Sequence, residues 1–166
     1  MNSVQTSTIS DGETVIRVLH RDWFVDDELQ ILAFALRKNE TYISVNRPII
    51  ESFDDDISDF ITKHPEYLVS EESRTYKRAA LNVGELRTIS VVLGQQALDV
   101  VVEVEPRDAH YKSHAGIFTR LAGKNIKGGQ QKEVPIDDDT TLPIGAIFQK
   151  VQHKLLSLAT IEQRTI

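Results

Sequence analysis

Two histidines four residues apart, His110 and His114, have the spacing that first suggests chemistry in this sequence. On a helix, positions i and i+4 share one face, where two imidazoles could hold one metal ion. The metalloprotease pattern H-E-x-x-H also needs a glutamate after the first histidine, and here that position is Tyr111. Pro106 precedes the pair and argues against a helix. We therefore predict no metal site and no cofactor, and the alternative to a metal-binding pair is a pair of surface or hydrogen-bonded histidines.

His114 is followed by small residues in the segment SHAGI at residues 113–117. Small residues allow a ligand to approach the backbone closely. Ser113 is suited to cap a helix that begins at His114, and the free N–H groups of such an N-terminus attract anions. This pattern predicts His114 as a catalytic acid–base group, with Ser113 and His110 as ligand-binding neighbours. The alternative is a histidine that hydrogen-bonds to the backbone where a loop meets a helix.

A second polar cluster, Ser44, Asn46 and Arg47, is expected where the short strand at residues 41–45 ends. Pro48 favours an extended conformation of the residue before it, so the arginine side chain is presented in a fixed direction. A guanidinium offers two parallel donors to a phosphate or a carboxylate. We predict that this cluster binds an anion. The alternative is a salt bridge from the arginine to the aspartates just downstream.

Two further residues complete the candidate set: His20, at the end of the predicted first strand, and Arg87, a ligand-binding cation from the middle of the chain. If the first two strands are neighbours, His20 joins the cluster at residues 44–47 as a second catalytic group. A serine nucleophile needs a histidine base held by a third group, and the adjacency of Ser113 and His114 is not evidence of one. Signatures of P-loop, α/β-hydrolase, EF-hand and zinc-deaminase sites are absent from the sequence.

The two polar segments together resemble a loosely defined group of short bacterial proteins. That group shares an S-V-x-R element, here residues 44–47, and an H-A-x-I element, here residues 114–117, which follows E-P-R-D at residues 105–108. The resemblance covers a small part of the chain and implies a bacterial origin but no particular activity. It adds weight to Arg47 and His114 as two residues that meet in space.

Length and composition fit one globular domain with its own core. The chain has 166 residues, of which 40% are hydrophobic and 27% charged, and it contains no cysteine, which excludes disulfides and thiolate sites. Its first residues lack the basic and apolar segments of a secretory signal, and no apolar run approaches the ~20 residues that span a bilayer. We therefore expect a soluble, cytoplasmic protein that does not associate with membranes.

Charge is distributed unevenly along the chain, although the formal net charge is only −6. Residues 1–72 contain 6 Lys and Arg against 15 Asp and Glu, whereas residues 73–132 contain 10 against 5. Such a basic segment could bind nucleic acid or phosphate. The acidic overall balance favours the alternative, in which these cations pair with the acidic first half of the same chain or of a second subunit.

Hydrophobic periodicity predicts an α+β fold: a single domain with a mixed or antiparallel sheet of about five strands and two or three helices, the last one C-terminal. Residues 1–12 are predicted to be frayed, residues 13–166 to form the domain, and residues 121–140 to form a flexible loop. Strands are predicted at 14–19, 41–45, 75–83 and 100–105. Helices are predicted at 26–36 (with a buried strand at 31–36 as the alternative), between 52 and 64, and from 141 to 158.

These features support three functional hypotheses. The leading one is a binding or accessory module whose partner is an unknown protein or a second copy of the chain in a homodimer. The first alternative is an enzyme acting on a phosphate-containing substrate, a nucleotide or a nucleic-acid end, in which Arg47 holds the anion and His114 or His20 is the acid–base group. It requires Arg47 and His114 to share one pocket. The second alternative is nucleic-acid binding through residues 74–132.

Overall fold

A computed structural model of the protein describes residues 8–107 and 109–166. Within these ranges the chain forms a large antiparallel sheet, three α-helices and several short hairpins. The helices are α1 (Phe53–Lys63), α2 (Val83–Arg87) and α3 (Ile144–Leu158). The strands, numbered along the chain, are β1 (Thr14–Leu19), β2 (Phe24–Val25), β3 (Glu28–Leu29), β4 (Tyr42–Asn46), β5 (Leu68–Ser70), β6 (Thr75–Asn82), β7 (Val92–Leu93), β8 (Gln96–Ala97), β9 (Val100–Pro106), β10 (His114–Leu121), β11 (Lys124–Asn125), β12 (Glu133–Pro135), β13 (Thr141–Pro143) and β14 (Thr160–Thr165).

The α+β class is confirmed, with α3 as the last helix, but the main sheet has eight strands rather than about five. Its long strands lie in the order β9-β10-β4-β1-β6-β14, and the short strands β11 and β5 pair with β10 and β6. All of these pairs are antiparallel. The sequence underestimates the sheet because β5 and β11 are very short and β14 is polar and almost wholly exposed. Such strands carry little hydrophobic alternation and form because a longer strand offers backbone partners.

Apolar side chains pack on both faces of the sheet. The larger cluster lies on the α3 side, where Ile147 and Leu155 pack among the inward-facing residues of the strands. The smaller cluster lies under α1, where Ile57 and Ile61 pack with Ile16 of β1. Because no residue of β4 or β10 belongs to the smaller cluster, α1 leaves part of its face of the sheet uncovered.

The helix predicted at residues 26–36 is wrong. The chain there forms the hairpin β2–β3, followed by one short 3-10 turn at Ile31–Phe34. Asp26 and Asp27 both have positive φ, 51° and 64°, as a two-residue turn between twisted strands requires. The apolar spacing that suggested a helix is used instead to bury Ala33 and Phe34 in the larger core.

Two predicted helix starts also need correction, whereas the helix between 52 and 64 is confirmed as α1. The last helix begins at Ile144 rather than at Thr141, because residues 141–143 are taken up by β13, which pairs with β12. His114 does not begin a helix. It is the first residue of β10, which is bonded to β4 on one side and to β9 on the other. A strand with partners on both sides fixes its backbone in the extended form.

The sequence predicted a frayed N-terminus at residues 1–12 and a flexible loop at residues 121–140. Residues 1–7 of the segment predicted to be frayed lie outside the described residues, and within 8–12 the side chain of Ile9 is buried in the larger core. The region 121–140 contains β11 and β12, and its Gly128 forms a bridge with Lys38. None of the helices in the described ranges is both long and apolar enough to cross a membrane.

Candidate functional site

An open cleft of about 690 Å³ lies on the α1 side of the sheet, over the part that α1 leaves uncovered. Side chains of β1, β4 and β10 line its base, and α1, the turn at Tyr67, the segment 23–40 and the loop before β10 line its sides. This volume falls within the ~300–1,000 Å³ that small-molecule sites occupy. The cleft is therefore the candidate functional site within the described ranges.

Arg17 lies in the cleft where β1 and β4 separate. These two strands share one paired position, so the backbone groups beyond it need other partners. The Nη1 of Arg17 donates to the carbonyl oxygen of Ser44 at 2.8 Å, and its Nε donates to that of Ala33 at 2.6 Å. The guanidinium carbon lies 4.8 Å from the centre of the Trp23 ring. The cation thus fills the gap between the strands and contacts neutral groups.

Arg17 makes no direct ion pair with a carboxylate in the part of the chain that the structure describes. None of the ion pairs formed within residues 8–107 and 109–166 includes it. Burial lowers the pKa of Arg17 to about 10, opposed by the nearby Tyr67 and Glu40, so the group remains charged at neutral pH. A partly buried cation whose hydrogen bonds go to carbonyls attracts an anion in the adjoining space.

Aromatic rings form one wall of the cleft. The rings of Trp23 and Tyr67 are perpendicular, with centres 6.0 Å apart, and Phe60 of α1 lies 4.9 Å from Tyr67. His64 adds a fourth ring, 4.8 Å from that of Phe60. Edge-to-face packing of this kind holds each ring in a defined orientation. The wall therefore offers rigid flat surfaces next to the guanidinium of Arg17.

Ser44 and His114 are brought together by the register between β4 and β10. Asn46 pairs with His114 and Ser44 pairs with Gly116, so all these positions share the cleft face. The Nδ1 of His114 lies 2.8 Å from the carbonyl oxygen of Ala109, which can only accept, so Nδ1 carries the proton. The other ring nitrogen, Nε2, then presents its lone pair to the Ser44 hydroxyl at 3.3 Å.

The environment of His114 keeps its ring neutral. The side chain is 7% exposed, and this burial is the main cause of a lowered pKa of His114. The nearby His110 and Arg107 lower it further, while the hydrogen bond to Ala109 opposes the shift. At neutral pH the ring is therefore a base with an available lone pair.

A hydrogen-bonded group at the rim connects α1 to the loop before β10. Asp59 accepts from the Tyr111 hydroxyl at 2.7 Å and pairs with Lys63 at 2.9 Å. The pKa of Asp59 is lowered, first by its hydrogen bond to Lys63 and then by that to Tyr111. Desolvation and the hydrogen bond to Asp59 raise the pKa of Tyr111 to about 12. Tyr111 therefore remains protonated and holds the loop against the helix.

A second group fixes the ends of β4 and β10. One carboxylate oxygen of Asp56 accepts from the hydroxyl and the backbone N–H of Ser113, at 2.6 and 3.0 Å, and from the hydroxyl of Ser52 at 3.0 Å. The amide of Asn46 in turn donates to the Ser113 hydroxyl at 2.8 Å. Because the amide nitrogen is engaged in this way, Asn46 is held in place at the edge of the cleft.

The structure brings together several of the residues singled out from the sequence. Four of them line the cleft: Ser44, Asn46, His110 and His114. A fifth, Ser113, accepts the hydrogen bond from Asn46 described above and so holds it in place. Their proximity depends on the pairing of β4 with β10. These two strands are far apart in the chain, so the pairing could not be read from either motif alone.

Arg47 does not line the cleft that contains His114. Its side chain is buried, and its guanidinium donates to both carboxylate oxygens of Glu13 at 2.9 and 3.1 Å. The enzyme alternative requires the two side chains to share one pocket, whereas His114 lines the cleft and the guanidinium of Arg47 lies against Glu13. The salt bridge kept as the alternative exists, but with Glu13 instead of the aspartates at 54–56.

His20 and Arg87 also do not line the cleft. The His20 side chain caps a 3-10 turn by accepting from the backbone N–H of Asp22 at 3.0 Å, and its ring packs edge-on against Tyr67. Arg87 belongs to α2, which packs on β9, and it pairs with Asp11 at 2.8 Å and Glu103 at 2.5 Å. Arg87 is thus engaged in ion pairs away from the cleft.

The cations of the basic middle segment are partly neutralised within the fold. Arg78 pairs with Glu162 and Arg120 with Glu105, in addition to the two pairs of Arg87. In the part of the chain that the structure describes, the Arg87–Asp11 pair alone joins this segment to the acidic first half. Most of the compensation therefore comes from carboxylates outside that half.

The residues predicted from the sequence to form the site include neither Arg17 nor the aromatic wall. Arg17 interrupts the apolar strand segment TVIRVL, and a charge in such a strand is a signal that a polar partner or a site lies beside it. Trp23, Phe60 and Tyr67 come from three separate segments and share no local pattern. Only the tertiary fold places them next to one another.

No group of three or more His, Cys, Asp or Glu side chains is arranged to hold a metal ion in residues 8–107 and 109–166.

Comparisons of this chain with models of protein families, with curated proteins and with solved structures found no match.

Proposed function

We propose that the protein is a binding module whose cleft takes a small organic anion with a planar ring. The observation that carries this proposal is Arg17, a partly buried guanidinium in a cleft of about 690 Å³ that forms no direct ion pair with a carboxylate among the described residues, although Glu40 is close enough to raise its pKa. A phosphate or carboxylate beside it would supply a direct ion pair.

The aromatic rings of the cleft support the inference that the ligand contains a planar ring. Trp23, Tyr67 and Phe60 are rigid rings on one side, and flat ligands gain contact with such rings at little cost in conformational entropy. Ser44 and Asn46 add polar groups at the base. A few oriented polar groups among aromatic surfaces are typical of small-molecule sites.

This proposal narrows the leading hypothesis, a binding module with an unknown partner, to a small ligand. It keeps the phosphate-containing ligand of the first alternative as one member of the class, since a nucleotide combines a planar base with an anion. The anion-binding role moves from Arg47 to Arg17, because the guanidinium of Arg47 lies against Glu13. Nucleic-acid binding has less support, because Arg78, Arg87 and Arg120 are already paired with carboxylates.

The test is thermal unfolding of the protein with nucleoside monophosphates and aromatic carboxylates, each compared with its uncharged nucleoside or amide. We expect at least one anion to stabilise the fold and its uncharged analogue to fail. A ligand at ~100 times its Kd adds roughly 2.7 kcal/mol to the free energy of unfolding. Arg17→Gln should abolish the shift, whereas the control Arg21→Gln, at an exposed position outside the cleft, should retain it.

A second variant separates loss of binding from loss of folding. Trp23→Leu leaves the guanidinium and removes the ring beside it, so the protein should bind the anion more weakly while unfolding cooperatively. The proposal is contradicted if no anion stabilises the wild-type protein, or if Arg17→Gln binds as tightly as the wild type.

A further inference from the structure

We propose that Ser44 and His114 form a nucleophile–base pair that hydrolyses carboxylic esters in the cleft. The inference rests on the proposed function only for the choice of substrate, an ester that also carries an anionic group. The pair itself is defined by geometry, because the Ser44 hydroxyl lies 3.3 Å from Nε2 of His114 at the base of the cleft. That separation is in the range that such pairs show before a substrate tightens them.

The tautomer of His114 is the one that a general base requires. Nδ1 donates to the Ala109 carbonyl, so the lone pair of Nε2 is directed at the Ser44 hydroxyl. A nucleophilic serine needs a base that is itself oriented by a third group. Here a backbone carbonyl takes the place that a carboxylate has in a catalytic triad.

The loop before β10 holds that carbonyl in position. The Ala109 oxygen also accepts from the backbone N–H of Tyr111 at 2.9 Å, and His110 between them has a φ of 72°. A residue other than glycine with positive φ is costly and persists only where its surroundings enforce it. The Tyr42 ring lies 5.8 Å from that of His114, so the imidazole is also confined from the side.

Ser44 is accessible to a substrate, which distinguishes it from other serines near the cleft. Its side chain is exposed, whereas Ser113 is buried and engaged by Asp56. Arg17 donates to the carbonyl oxygen of Ser44 itself, so the proposed anion site and the nucleophile belong to neighbouring positions. A substrate would therefore carry its anionic group a few bonds from the scissile carbonyl.

The reaction has two balanced steps. In the first, the oxygen of Ser44 bonds to the acyl carbon while its proton moves to Nε2 of His114, and the alcohol leaves with that proton as the ester C–O bond breaks. In the second, Nε2 takes a proton from water, whose oxygen attacks the acyl carbon. The bond to Ser44 then breaks, the serine recovers the proton, and the acid is released. Water is the only co-reactant.

The first test measures hydrolysis of 4-nitrophenyl acetate and of the anionic mono-4-nitrophenyl succinate by the full chain. The second labels the full chain with a fluorophosphonate probe and locates the adduct by peptide mass mapping. We expect hydrolysis of both esters, with the succinate preferred, and a probe adduct on Ser44. Ser44→Ala and His114→Gln should lower the rate by ~100-fold or more. The control Ser90→Ala, at an exposed serine outside the cleft, should change neither the rate nor the labelling.

The outcomes separate this inference from the proposed function. In one outcome the protein hydrolyses both esters equally well, Ser44 is labelled, and both results are the same in Arg17→Gln. That outcome would uphold the nucleophile–base pair and count against the anion site. Ligand stabilisation that depends on Arg17, with no adduct on Ser44, would overturn the pair and leave the binding module standing. Ser44 is exposed, so we expect the Ser44→Ala protein to fold. If this folded variant retains the wild-type rate, the nucleophile–base pair is overturned.

Discussion

His114 shows how the surroundings of a single ring decide what it can do. Its Nδ1 proton is directed at a carbonyl oxygen, its Nε2 faces a hydroxyl, and burial disfavours its charged form. The same ring exposed to water would be about one-quarter protonated at pH 7, given an ordinary pKa near 6.5. The strand register and the loop before β10 thus favour the neutral ring and determine which of its nitrogens is the base.

The lowered pKa of His114 predicts a pH dependence of stability. When the folded pKa lies below the unfolded value near 6.5, the unfolded state binds more protons between the two values. The free energy of unfolding should therefore fall as pH drops through this window, by at most ~1.4 kcal/mol per pH unit, with no contribution from His114 above it. Urea unfolding between pH 5 and 8 should show this slope in the wild type.

The variant His114→Gln should lose that part of the slope, whereas His153→Gln, at an exposed position of α3, should keep it. A slope that is the same in wild type and His114→Gln would mean that the ring is protonated as easily in the folded protein as in the unfolded one.

A second residue-scale prediction concerns the pair of Arg47 and Glu13, whose side chains are 2% and 9% exposed. Removing the carboxylate from a buried ion pair costs more than removing one from an exposed pair, because the remaining charge is screened less by water. Glu13→Gln should therefore lower the free energy of unfolding by more than the exposed control described next, as measured by urea denaturation. The control is the exposed pair of Arg37 and Glu40, where Arg37→Gln should cost less than ~1 kcal/mol. Equal losses in the two variants would contradict a stabilising role for the buried pair.

The fit between β4 and β10 depends at the element scale on the absence of one side chain. Gly116 lies opposite Ser44, and a Cβ added there would lie 2.7 Å from the Tyr42 ring. The ring therefore packs directly on the β10 backbone, beside His114. Close approach of this kind explains a glycine inside a buried central strand, where it otherwise weakens the pairing.

We predict that Gly116→Ala destabilises the fold by ~1–3 kcal/mol, because it overpacks this contact. Tyr42→Ala should relieve the strain, so the double variant should lose less than the sum of the two single changes. Gly145→Ala is the matched control: its new methyl group would meet nothing within 4 Å at the start of α3, and the change should be neutral or stabilising. The melting temperatures of the four variants measure both effects, and simple additivity at positions 42 and 116 would contradict the contact.

The elements that the sequence predicted correctly are those whose stability is local. Alternating β-branched residues identify β1 and β9, and apolar residues spaced as on one helix face identify α1 and most of α3. The predicted helix at 26–36 failed because its spacing is also compatible with a hairpin and a 3-10 turn whose apolar residues enter the core. Asp26 and Asp27 have positive φ, which fits the turn of a hairpin and not a helix.

The cleft is a property of the whole molecule, which is why so little of it could be predicted. His114 and Ser44 were each chosen from local sequence, but their 3.3 Å approach requires two strands separated by much of the chain to pair in one register. Arg47 was predicted as the anion-binding residue because a proline fixed its local geometry. Its side-chain partner, Glu13, lies before β1, and a contact so distant in sequence is not visible in a local motif.

The distribution of charge over the whole molecule gives a prediction about nucleic acid. The net charge is −6, and several arginines of the basic middle segment are already bonded to carboxylates within the fold. Non-specific binding depends on free cations that replace the counterions of phosphates, and its Kd is typically ~10⁻⁴–10⁻⁶ M at physiological salt. We therefore expect fluorescence anisotropy with single- and double-stranded DNA and RNA to give a Kd weaker than ~10⁻⁴ M in 150 mM salt. Micromolar binding that falls steeply as salt rises, and that weakens in Arg107→Gln, where an exposed arginine is removed, would contradict this expectation and favour a nucleic-acid partner.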